Sequence, residues 1–66
     1  MKYVYLVYDE LHGLQCICAN KDKATEKVNN IAHNIYEIPK RWEPEYDGED
    51  CYGYEGAAVW HRVEVE

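Results

Sequence analysis

The chain has 66 residues and a net charge of −6, with seven Tyr, two Trp and no Phe. This length gives one domain, residues 1–66, near the lower limit at which apolar burial alone sustains a fold. The acidic balance argues against direct nucleic-acid binding, which needs Lys and Arg to neutralise phosphates, and against anionic membrane surfaces.

No apolar run approaches the roughly 18–20 residues that span a bilayer. The opening Met-Lys-Tyr-Val-Tyr has one positive charge and too short an apolar stretch for a secretory signal. The three cysteines, Cys16, Cys18 and Cys51, lack the dense spacing of a secreted disulfide framework. Together these features predict free thiols and a cytoplasmic protein.

Residues 2–8 are almost entirely aromatic or β-branched. A turn-prone stretch over 9–13 leads to a second apolar run at 14–19, so the start reads as a β-hairpin. Asn20 is a favoured N-cap. Beyond it Ala24, Val28, Ile31, Ala32, Ile35 and Tyr36 recur at the spacing of one helical face, which predicts an amphipathic helix that ends at Ile38-Pro39. Residues 39–56 contain two Pro and three Gly without sustained periodicity and read as a long ordered loop, a kind of connection that often carries function. Residues 57–65 alternate again as a third strand.

The expected fold is therefore α+β, a three-stranded antiparallel sheet in the order β-β-α-β. One helix packs on one face, and the long acidic loop precedes the last strand. On that reading the valines at 59, 63 and 65 face the helix with Val4 and Leu6, while Tyr3, Tyr5 and Trp60 lie on the open face. The acidic loop, a partner or a second copy of the chain would close that face, which makes a homodimer an expected assembly.

Charge is distributed unevenly. Residues 1–42 carry six Lys/Arg and five Asp/Glu, whereas residues 43–66 carry one Arg and eight Asp/Glu. Within 43–56 the acids Glu43, Glu45, Asp47, Glu49, Asp50 and Glu55 alternate with Tyr46, Tyr52 and Tyr54, with no Lys or Arg. Such a run repels itself, so it is either a solvated loop or a surface for a basic partner.

Other constellations are weaker. Cys16-Ile-Cys18, with Cys51, His12, His33 and His61, supplies zinc-type ligands, but C-x-C in a strand lacks the turn of a zinc knuckle; the thiols read more simply as core residues, and no metal or cofactor is expected. Glu43-x-Glu45-x-Asp47-Gly48 opens like a calcium loop, yet Tyr54 stands where a bidentate Glu is needed. With no Ser and one Thr, and with little volume for a desolvated carboxylate, an enzyme is not expected.

The Val4-Tyr5-Leu6-Val7-Tyr8 start, the hairpin, the helix opening at Asn20, Lys21 and Ala24, and the late strand with Trp60 resemble small domains common in phages and mobile elements, anti-CRISPR proteins and other host inhibitors among them. The resemblance covers the order of elements, and residues 43–56 lie outside it. It implies a basic, nucleic-acid-handling target such as a CRISPR-Cas effector, met in the host cytoplasm. The residues themselves give the expected contact set: Glu43, Glu45, Tyr46, Asp47, Glu49, Asp50, Tyr52 and Tyr54, with Trp42 and Trp60 as anchors. Carboxylates on a firm surface imitate phosphates, and tyrosines supply stacking and hydrogen bonds. The competing readings are a cytosolic protein-interaction or homodimerisation module and a small metal-binding domain using Cys and His.

Overall fold

The computed structural model of the chain describes residues 2–65. It has one helix and a five-stranded antiparallel sheet in place of the three strands expected. The elements are β1 (Lys2–Asp9), β2 (Gly13–Cys18), α1 (Lys21–Asn34), β3 (Tyr46–Asp47), β4 (Cys51–Tyr54) and β5 (Ala58–Val65), and the strands lie in the order β2-β1-β5-β4-β3. The two extra strands come from residues 39–56. Tyr46 pairs with Gly53 and Asp47 with Tyr52 around a turn at Gly48–Asp50, so the acidic segment extends the sheet within its own plane.

Asn20 caps α1 as expected, its Oδ1 accepting from the Lys23 amide at 2.8 Å. The helix stops at Asn34, short of Ile38-Pro39. Glu37 enters the left-handed region at φ 56° and turns the chain, and the Ile38 amide donates back to the Ala32 carbonyl at 3.0 Å. Ala24, Val28 and Ala32 form the buried stripe.

β5 lies beside β1 along its whole length, but the two faces of the sheet are the reverse of those expected. Ala58 and Trp60 on β5, Val7 on β1 and Tyr54 on β4 are buried in one cluster with the helical stripe. Trp60 is fully buried; its indole Nε1 donates to Thr25 Oγ1 at 3.0 Å, Tyr5 meets it edge-on at 5.0 Å and Tyr52 stacks beside it at 6.1 Å. Val63 and Val65 lie on the opposite, uncovered face with Val4, Leu6, Ile17 and Val59. β-Branched residues suit a strand on either face, so their alternation gives a period without saying which side is inside. The polar atom of Trp decides it, because a helix residue is there to accept its hydrogen bond.

Gly53 is the most crowded of the glycines among the described residues. It sits at φ 151°, and a Cβ there would lie 2.3 Å from the Ala58 carbonyl oxygen and 2.5 Å from Val59 Cα. Neither backbone atom can move without separating β4 from β5. Gly53→Ala is therefore expected to cost about 3 kcal/mol or more, detected as a lowered midpoint in chemical denaturation.

Candidate functional site

The acidic residues of the expected contact set are presented by a built edge. β3 is an edge strand, and Glu43 and Glu45 on the approach to it, Asp47 within it, and Glu49 and Asp50 in the turn after it are all exposed. Two tyrosines of the same segment hold that edge to the body of the protein. Tyr52 and Tyr54 point to the helix side, where their hydroxyls reach Asn29 Oδ1 at 3.2 and 3.3 Å; the Tyr54 hydroxyl also lies 3.5 Å from the Trp42 carbonyl. Burial pushes the Tyr54 hydroxyl pKa up, so it stays protonated and remains a donor.

This placement divides the contact set. Trp60 is in the core, Tyr54 is 4% exposed and Tyr52 packs against the same cluster, so these three support the edge from behind. Trp42 and Tyr46, at 56% and 41% exposure, remain as accessible aromatics. Tyr46 also shares a wall of a cleft of about 560 Å3 at the acidic edge, together with Tyr8, Cys51, Glu55 and His61. The sequence does hold a signal for the missed hairpin: Gly48 opens a short polar stretch between Tyr46 and Tyr52, and Tyr52 and Tyr54 alternate about a glycine.

Among the described residues, Asp50 alone of the segment 43–50 has a cationic partner: Arg62 Nη2 at 2.7 Å. The Arg62 amide also donates to the Asp50 carbonyl at 2.8 Å, and the guanidinium lies 4.3 Å from the centre of the Tyr3 ring. The Asp50 side chain is largely exposed, so the ion pair is worth at most about 1 kcal/mol and its role is to orient the turn. The other four carboxylates face solvent. Also among the described residues, no three His, Cys, Asp or Glu side chains converge as a metal site needs, whether of the zinc set or of the calcium-like stretch.

Among the described residues the one buried carboxylate is Asp9, at the end of β1 and the far side of the cleft. It accepts from the Tyr36 hydroxyl, the Leu11 amide at 2.9 Å and the His12 amide at 3.3 Å, with His12 Nδ1 also 3.3 Å away. The Tyr36 bond leads the effects that lower its pKa from 3.8 to about 2, against desolvation, which raises it. A carboxylate held so firmly ionised is a poor general base; it ties the β1–β2 turn to the chain that leaves α1. Because the folded pKa lies below the unfolded value of about 3.9, this contribution is complete above about pH 4 and is lost as pH falls through 2. Thermal melts followed by circular dichroism are expected to show a drop in midpoint between pH 4 and 2, with a shallower drop for Tyr36→Phe.

No family model, curated protein or solved structure matches this chain.

Proposed function

We propose that this protein is a non-catalytic inhibitor that binds the basic surface of a nucleic-acid-handling protein, such as a CRISPR-Cas effector, through its acidic edge. The observation that carries this reading is that Asp47 and Glu49 are solvent-facing on a hairpin anchored to Asn29, with Glu43 and Glu45 solvent-facing on the segment that leads into it, where a merely solvated run would need no anchor. Fixed carboxylates meet a basic groove without the entropy loss of ordering a loop, and they attract it over about a Debye length of roughly 8–10 Å. Trp42 and Tyr46 are the apolar contacts within this rim of charge.

The test is capture from a bacterial lysate at low and at high salt, comparing the wild type with a variant carrying Lys at Glu45, Asp47, Glu49 and Asp50. The expected result is a nucleic-acid-binding protein released by salt, with association slowed roughly tenfold or more by the charge reversal. Retention that is indifferent to both salt and charge reversal would reduce the edge to solvated surface.

A second reading, a homodimerising interaction module, is favoured by the uncovered face of Val4, Leu6, Ile17, Val59, Val63 and Val65. Two such faces would close as a sandwich about 10 Å thick. Sedimentation is then expected to show a dimer that Val63→Lys converts to a folded monomer. A monomer at all concentrations in the wild type would refute it.

A further inference from the structure

Cys16 and Cys18 stand on the helix-facing side of β2, opposite Val7 and Tyr5, at the sheet edge farthest from the acidic hairpin. Alternate residues of an extended strand are about 6.6 Å apart. Two thiols in that relation touch only if both side chains lean along the strand toward each other, and here the sulfurs are 3.8 Å apart. The pair is only half-buried, and both cysteines are free. Cys16 opens on a groove between β2 and α1 that Lys27, Asn30 and Ile31 also line. Burial and then the neighbouring Cys16 push the Cys18 thiol pKa up, against a weaker opposing pull from Lys27 and Lys23.

An intramolecular disulfide would span Cα atoms near the upper limit of about 6.8 Å, in a strand already committed to pairing, so it is a strained outcome. A bridging cation avoids that strain, because it bonds both sulfurs without bringing them together. Zinc would want four ligands, and no third His, Cys, Asp or Glu joins the pair among the described residues. A soft monovalent d10 ion needs only two thiolates.

We propose that Cys16 and Cys18 form a two-sulfur chelate for Cu(I). Two S–H bonds break, their protons pass to solvent and two S–Cu bonds form; no electron is transferred. The site changes from neutral to a charge of −1, which Lys27 and Lys23 offset only in part. Affinity therefore rises with pH as proton release becomes easier. The chelate is independent of the acidic edge and of what that edge binds.

The test is anaerobic titration of the reduced full chain with Cu(I) in competition with bicinchoninate, followed by native mass spectrometry. Wild type and Cys51→Ser are expected to retain one copper per chain, with a mass gain, at equal ion charge, of one copper less one hydrogen. Cys16→Ser and Cys18→Ser should each weaken retention by about tenfold or more, since loss of even an outer-shell partner costs about 10–100-fold. Failure of the wild type to hold copper against the competitor overturns the chelate, as does retention by either serine variant or equal weakening by Cys51→Ser. X-ray absorption on the wild-type copper complex does not depend on the variants folding. Two sulfur neighbours alone support the assignment, and a nitrogen ligand or a third sulfur refutes it.

Discussion

The structure depends on the burial of Trp60. Its ring is the largest fully buried side chain, and it lies where β5, the strand between the β1–β2 hairpin and the β3–β4 hairpin, meets the helix. The indole N–H would be costly to bury without a partner, and Thr25 on α1 accepts it. That hydrogen bond, with Tyr5 edge-on and Tyr52 stacked, fixes which face of the sheet the helix covers. With a period of two, one fixed residue orients the whole strand. Val59, Val63 and Val65 are then turned outward, and Cys16 and Cys18 inward.

The same choice organises the acidic segment. Because Trp60 faces the helix, its register partner Tyr52 does so too, and Tyr54 follows two residues on. Their hydroxyls reach Asn29, and β4 is thereby held to both β5 and α1. β3 and its carboxylates are left at the outer edge, where a short, charged strand is also protected against pairing with other chains. Separation of charge from core is thus a consequence of packing: Tyr52 and Tyr54 go inward, and the acids of the segment stay in water with Trp42 and Tyr46. The thiol pair and the acidic hairpin occupy opposite ends of the strand order, so a soft-metal chelate and a basic-partner surface can coexist on one small domain.

Local features were legible in the sequence. The Asn20 cap, the helical stripe of Ala24, Val28 and Ala32, the first hairpin and the return of the last strand beside the first all follow from short-range stereochemistry and periodicity. The β3–β4 hairpin was harder to see because its strands are short and its tyrosines are interrupted by Gly53 and by the acidic turn. Gly53 in particular reads as a breaker, although the strand uses it to let the Ala58 carbonyl approach. The acids of the candidate site were legible as a charge run. The inward placement of Tyr52, Tyr54 and Trp60 was not, since an aromatic residue suits a core and a contact surface equally well.

By itself the sequence determined the first hairpin, the single helix, the final strand and the concentration of net negative charge in residues 43–66, because propensity, capping and charge count act over a few neighbouring residues. Only the tertiary structure decided how many strands the sheet has, which face is covered and which aromatics remain accessible. Those outcomes depend on partners distant along the chain: Trp60 with Thr25, Tyr52 and Tyr54 with Asn29, and Asp9 with Tyr36. A buried donor or carboxylate is stable only when its partner is in place, and that condition is met across the fold, not within any local stretch of sequence.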